Sequence, residues 1–481
     1  METDKLTVAI ELGSSKISGA AGYKQADGSF KVMAYAATSS TSCIHHGAVY
    51  NLDKTANAIV EVITKLENQL NAKVLQVVIG YNCQSIKSVY STVSRHFEEE
   101  TVVTSDVIDQ MFSECEDQVI PGYDKFHLES QEYGVNSKKS AETEPIGVAC
   151  NDLVGNYLNI VLKSQIADYI GKCFGMASFE VLDGYVTPLA EAEVALTDDE
   201  KRQGCVLVDY GAETTAVSVY NNGMLRYLRV IPFGSVLITK DLATVLQIEP
   251  DEAEKLKVTY GLCNIINNLE NADTTKVGNK TISLKEIGEI IEARNEEILR
   301  NIAHQIKASG LYDILYSGII LTGGGSNLRR LDEAFVKIMP TLRAPRIVCE
   351  PIQGVEWAEP KWRKNDGSQL SLLAIMSQNQ TNCCEFPAFE GIDDITPEQE
   401  KDLKTATLFD DNGESAQQER DRREEERRKA EALTKQQKHE QEKKEESVDD
   451  TNKGSKKKKN YFKIMFDRMV QSSEEFFEDV Q

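Results

Sequence analysis

The feature that most constrains the fold of this chain is a pattern used twice. Residues 8–22 (VAIELGSSKISGAAG) and 206–220 (VLVDYGAETTAVSVY) each run from an apolar strand to an acid, one further residue, a glycine, a short hydroxyl-bearing turn and a second strand. Strands of four to eight residues bounded by small turn residues are the expected signature of β-hairpins. Helical patterns such as TANAIVEVITKLENQL lie between β-rich runs such as VMAYAATS and VLQVVIGYN, which is α/β texture over the first 380 or so residues. Asn222-Gly223, between two β-rich runs, predicts a two-residue hairpin turn. An internal duplication follows, with two related domains facing each other across a cleft.

The turns of the two repeats fit phosphate binding. Phosphates are held by backbone N–H groups, and small residues let the chain come close. Gly13-Ser14-Ser15 and Gly211-Ala212-Glu213-Thr214-Thr215 meet that need, and Glu11 and Asp209, each two residues earlier, are placed to hold a magnesium ion directly or through its waters. Neither turn is a P-loop, because no Gly-Lys-Ser/Thr follows. Each turn alone reads more simply as a plain hairpin. A third element, SGIILTGGGSNLRRL, joins an apolar strand to the Gly323-Gly324-Gly325 turn and a predicted helix start, which suits close approach of backbone to a nucleotide.

In this order and spacing the three elements look like the ATPase cleft shared by actin, Hsp70 and sugar kinases. Within that superfamily the chain resembles the FtsA family, over nearly its whole length up to about Cys384. The stretches that carry the resemblance are GCVLVDYGAETTAVSVYNNGMLRYLRVIPFGSVLITKDLA, PDEAEKLKVTYG and LKEIGEIIEARNEEILRNIAHQI. The resemblance implies a duplicated actin-like ATPase fold that binds ATP and magnesium between its halves. It implies a first phosphate loop of Gly13, Ser14, Ser15 and Lys16, and a second of Asp209, Gly211, Thr214 and Thr215, with Gly323, Gly324 and Gly325 on the adenosine side. Glu254 and Lys257 match positions that contact ribose and base in bacterial actins; their i, i+3 spacing puts both on one helix face, where a solvated charged helix is the plainer reading.

Two departures bear on catalysis. The first loop has Glu11 where actin-like enzymes usually have Asp, and Thr187 precedes Pro188 where the filament-forming MreB proteins carry a water-orienting glutamate. Glu191, one turn further on, is the substitute candidate, so tight nucleotide binding with slow hydrolysis is expected. The expected domains are 1–83 with 164–204 and a C-terminal return at about 365–380 for the first half, and 205–364 for the second. An FtsA-type inserted subdomain is expected at 84–163.

After about Asn382 the composition changes. From Glu398 to Ser455 both charge signs mix with almost nothing to bury, so 385–455 reads as a disordered linker. It leads to the basic run Lys456, Lys457, Lys458 and Lys459. Beyond that run Tyr461, Phe462, Met465, Phe466, Met469, Phe476 and Phe477 fall on one half of a helical wheel. Such a segment suits an interfacial helix on an anionic membrane, with docking onto protein as the alternative and the acidic end, Glu474 to Asp479, in that alternative's favour. A net charge of -23 repels phosphate backbones and argues against nucleic-acid partners.

The N-terminus shows no apolar leader and the chain no long apolar run. The ten scattered cysteines read as a reducing compartment. His45-His46 lacks further ligands at metal-site spacing and reads as a loop. The resemblance implies a cell-division scaffold on the cytoplasmic face of the bacterial inner membrane at the septum. It would self-associate into filaments and receive the tubulin-like protein FtsZ within about residues 226–307, together with other division proteins. A PilM-like pilus assembly component and a sugar-kinase-type enzyme are the alternatives.

Overall fold

A computed structural model describes residues 5–136, 141–263 and 273–386. Two sheets carry the duplicated pattern. In the first, the strands lie in the order Glu180–Val186, Gln76–Tyr81, Thr7–Leu12, Lys16–Lys24, Phe30–Ser39, with Val355–Trp357 at the edge. The second runs Arg346–Ile347, Gly318–Thr322, Cys205–Tyr210, Thr215–Asn221, Met224–Ile231. In both, the first three strands pair in parallel and the next two join antiparallel; the edge strand Val355–Trp357 of the first sheet lies parallel to Phe30–Ser39. The hairpins also share their register: Glu11 opposes Ser18 and Leu12 opposes Ile17, while Asp209 opposes Ala216 and Tyr210 opposes Thr215. Residues 13–16 and 211–214 are therefore equivalent loops.

Helices on both faces explain why the strands read as continuous apolar runs. Every residue of Cys205–Tyr210 is buried. The helix Leu52–Leu70 lays Ile59, Ile63 and Leu66 on the first sheet; Asn51 caps it by accepting the Lys54 N–H, and Asn71 ends it in the left-handed region. Helices Thr187–Ala195 and Leu370–Ser377 pack against each other, and nearly every residue of the second is buried. The helix Leu284–Ala308 covers the second sheet. Asn222 and Gly223 both take positive φ, 54° and 79°, as a twisted two-residue hairpin turn requires.

The strands Lys87–Val102, Tyr123–Val135 and Ala149–Lys163 form their own antiparallel array, whose apolar face is covered by Met111 and Cys115 of the helix Ser105–Asp117. This array joins the second sheet through one pair, Lys87 opposite Arg229. The Arg226 guanidinium adds a polar clamp, donating to Gln131 Oε1 at 3.1 Å and to Glu132 Oε1 at 2.7 Å.

From the second glycine of the triplet the chain makes a single 3-10 turn, Gly324–Asn327, where the pattern predicts a helix start. The helix begins only at Leu331, because Arg330 sits in the left-handed region at φ 59°. Cys384–Glu385 pairs with Lys73–Val74. The remainder of the expected linker, and the expected tail of Lys456 to Phe477, lie outside the described residues. Among those described, all ten cysteines are free and no helix is long and apolar enough to cross a membrane.

Candidate functional site

The two hairpin loops and the glycine turn converge at the carboxyl ends of the central strands. Gly13 and Gly211 play the same steric part. A Cβ on Gly13 would lie 2.7 Å from Lys16 O, and one on Gly211 would lie 2.8 Å from Thr214 O, so each loop is tight because its glycine has no side chain. The Ser40 hydroxyl donates to Gly13 O at 2.6 Å, Ser14 Oγ accepts from the Gly47 N–H at 2.8 Å, and Ser15 is exposed. In the second loop the Gly211 N–H donates to Thr214 O at 3.0 Å, and the buried Thr215 donates to Phe233 O at 2.7 Å.

Gly323 sits against the second loop. Its φ is 84°, and a Cβ there would overlap Asp209 Oδ1 at 2.4 Å and Tyr210 O at 2.6 Å. A Cβ on Gly325 would meet the Tyr210 ring at 2.7 Å, whereas Gly324 faces open space apart from Ser368 Cβ at 3.8 Å. Two of the three glycines are thus demanded by packing, and the middle one leaves its backbone uncovered.

Three carboxylates gather behind these loops. Glu11, which accepts from the Ser18 hydroxyl at 3.0 Å, is raised by burial against the pull of Lys16. Asp209, 7% exposed, is raised to about 7 by burial and then by the charge of Glu11, although the Asn82 amide donates to it at 2.9 Å. Glu191 is fully buried; burial first and the Asp209 charge second raise it, and the Ser371 hydroxyl donates to its Oε1 at 2.7 Å. Glu191 Oε2, Thr187 Oγ1, Thr322 Oγ1 and Asn82 Oδ1 are buried without a hydrogen-bond partner. Like charges pressed together out of water hold their protons more tightly. Among the described residues, no three acidic, His or Cys side chains converge as direct ligands of one metal ion.

Glu254 and Lys257 are held as a pair at 2.8 Å on the helix Pro250–Tyr260. The solvated-face reading fails for Lys257, which is 8% exposed and donates to Ser235 O at 3.2 Å and to Thr239 Oγ1 at 2.9 Å. The Ser235 N–H donates in turn to Gly211 O at 3.0 Å, so this lysine is one residue removed from the second loop.

Three contributors escaped sequence reasoning. The turn at His46-Gly47 touches both loops: the His46 N–H donates to Glu213 Oε2 at 2.7 Å while Gly47 reaches Ser14. Asn82 follows the strand Gln76–Tyr81 and meets Asp209 across the cleft. The turn Asp366-Gly367-Ser368 joins the halves, because Lys16 Nζ donates to Ser368 O at 3.0 Å and Asn327 Nδ2 donates to Asp366 O at 2.6 Å. His-Gly and Asp-Gly-Ser are legible as turns, but nothing local says what they touch.

This geometry agrees with the comparisons to known proteins. A profile of the type IV pilus assembly protein PilM matches residues 9–269, and one of the cell division protein FtsA matches residues 206–366. Among solved structures, a PilM-PilN type IV pilus biogenesis complex superposes with a TM-score of 0.54 at 15% identity, covering 77% of this chain and 98% of that one. The shared architecture is the actin-like ATPase fold. The cell division protein FtsA of Neisseria meningitidis is 30% identical over 340 residues, 68% of this chain and 80% of its own length. That of Porphyromonas gingivalis is 30% identical over 355 residues, 71% of this chain and 73% of its own length. With two equivalent hairpins, a packed glycine turn and relatives of this extent, the chain belongs to the cell division protein FtsA family.

Proposed function

We propose that this protein is a division scaffold that holds ATP between its halves, attaches to the inner membrane by its C-terminal segment and receives FtsZ on its second half. The observation that carries the nucleotide reading is the equivalence of loops 13–16 and 211–214, which approach each other beside a glycine turn with one uncovered backbone position. Backbone N–H groups and Lys16 suit the phosphates, and the Gly323–Gly325 turn with the Glu254–Lys257 pair suits the adenosine. Magnesium fits the raised carboxyls of Glu11 and Asp209, which it would hold in their charged form. Among the described residues no three direct ligands converge, which favours contact through its waters. When bound, the ion would neutralise the phosphate oxygens.

Slow hydrolysis fits the same residues. Glu191 is raised by burial and already engaged by Ser371, so it is poorly placed to take a proton from water. ATP in this reading is an assembly ligand that favours the closed, filament-forming arrangement. Tail attachment rests on the amphipathic pattern Tyr461 to Phe477 and on Lys456 to Lys459, each lysine contributing about 1 kcal/mol near an anionic surface. One interfacial helix binds weakly, and polymerisation multiplies its effective concentration. In this reading FtsZ docks within about residues 226–307, and the protein acts at the cytoplasmic side of the septum.

A PilM-like role is the second reading, motivated by the profile match over residues 9–269. Co-sedimentation with anionic vesicles separates the two. The full chain should pellet, more strongly with Mg-ATP, and a version ending at Ser455 should stay in solution. If both stay in solution, membrane attachment is wrong and the pilus-type reading gains.

A further inference from the structure

The helix Leu284–Ala308 buries an aliphatic stripe, Ile287, Ile291, Ile298, Ile302 and Ile306, with one polar interruption at Asn295. Asn295 is fully buried. An amide there forgoes an aliphatic contact and is costly wherever its hydrogen bonds are incomplete. Its Nδ2 has no partner among the described residues. Its Oδ1 accepts from the Tyr210 hydroxyl at 3.2 Å, a bond between two fully buried side chains 85 positions apart. Leucine would pack in this stripe without that cost, so the residue has a use other than packing.

That use lies at the other end of Tyr210. The tyrosine follows Asp209, and its ring and carbonyl form the surface on which Gly323 and Gly325 rest. Any Cβ on those glycines would lie within 2.8 Å of Tyr210 atoms. The ring cannot tilt without moving the glycine turn, and the hydroxyl bond to Asn295 fixes the tilt. We infer that Asn295 is a positioning residue which, through Tyr210, sets the Gly323–Gly325 turn and ties the long helix of the second half to nucleotide held there. This rests on reading the turn as part of the nucleotide cleft. The coupling is reciprocal: a ligand that shifts the helix shifts nucleotide affinity, and nucleotide restrains the helix by the same factor.

A matched control exists on the same helix. The Tyr227 hydroxyl donates to Gln305 Oε1 at 2.7 Å, again sheet tyrosine to helix amide, but Tyr227 lies on the strand Met224–Ile231, away from the turn. Binding of a fluorescent ATP analogue with magnesium is measured on the full chain and on Tyr210→Phe, Asn295→Leu and Tyr227→Phe, with thermal unfolding of each. Tyr210→Phe and Asn295→Leu should each weaken nucleotide binding about five-fold, the factor that one ordinary hydrogen bond represents. Tyr227→Phe should lower the melting temperature comparably and leave affinity within about two-fold, the spread of a neutral change. Should one of the first two variants not fold, the other carries the comparison. Wild-type affinity in either folded variant would overturn the positioning role and leave the nucleotide cleft standing. Absence of binding by the wild type would overturn the cleft itself.

Discussion

Replacing Gly323 by alanine gives a perturbation whose magnitude follows from the coordinates. The added Cβ would lie 2.4 Å from Asp209 Oδ1, 2.6 Å from Tyr210 O and 2.8 Å from Tyr210 C, all in buried and paired parts of the second sheet. Overpacking of this kind costs about 1–3 kcal/mol. The residue also sits at φ 84° and ψ 161°, a region almost confined to glycine, where an L side chain adds about 1–3 kcal/mol. Together the loss is about 2–6 kcal/mol, the two sources added. Gly324→Ala is the internal control, since its Cβ would find only Ser368 Cβ at 3.8 Å, an ordinary contact. A surface Gly→Ala at a compatible backbone costs or contributes no more than about 1 kcal/mol. Urea unfolding of the full-length variants near neutral pH reads the difference as a shift in midpoint at unchanged slope. Gly325→Ala should fall with Gly323→Ala, because it meets the Tyr210 ring at 2.7 Å. Indistinguishable midpoints for Gly323→Ala and Gly324→Ala would refute the packing argument for the turn.

Two further expectations concern other parts of the molecule. Asp209 titrates at about 7 in the folded chain, above its ordinary 3.8, so the folded state keeps a proton that the unfolded state releases. Stability attributable to this group therefore falls as pH rises between about 4 and about 7 and then levels. Asp209→Asn should stabilise the nucleotide-free protein by about 2–4 kcal/mol near pH 8 and hardly at all near pH 4, as denaturant titrations at the two pH values would register. Equal effects at both would contradict the assignment. At the helix Asp198–Gln203, Thr197 accepts the Glu200 N–H while the Glu200 carboxylate accepts the Thr197 N–H, so Thr197→Ala should cost about 1 kcal/mol. A midpoint unchanged from wild type would show the cap to be idle.

What was legible in the chain was the local chemistry. The hairpins could be read because both strands of each are apolar and their turns carry glycine and hydroxyls. The loop residues Gly13 and Gly211 could be paired because the acids precede them at the same interval. The helix Leu52–Leu70 announced itself by period, and Asn222-Gly223 by its dipeptide. What stayed hidden depends on partners far along the chain. Lys257 looks like any solvated lysine in PDEAEKLKVTYG, and only the neighbouring helix Val236–Leu246, through Thr239, removes it from water. Lys16 meets Ser368 across 352 positions, and Asn82 meets Asp209 across 127. His45-His46 read as a loop, but the turn they open also bridges the two loops, which no spacing rule reveals. The late helix start at Leu331 was misread for a different reason: a left-handed arginine carries no sequence mark.

Whether the two equivalent hairpins serve one shared ligand is tested most directly by calorimetric titration of the full chain with Mg-ATP. Wild type should bind one nucleotide per chain, and Gly13→Val and Gly211→Val, each forcing a side chain against its own loop carbonyl, should each abolish that binding. Two nucleotides per chain, or one retained after either substitution, would mean that the hairpins act independently and that no cleft joins them.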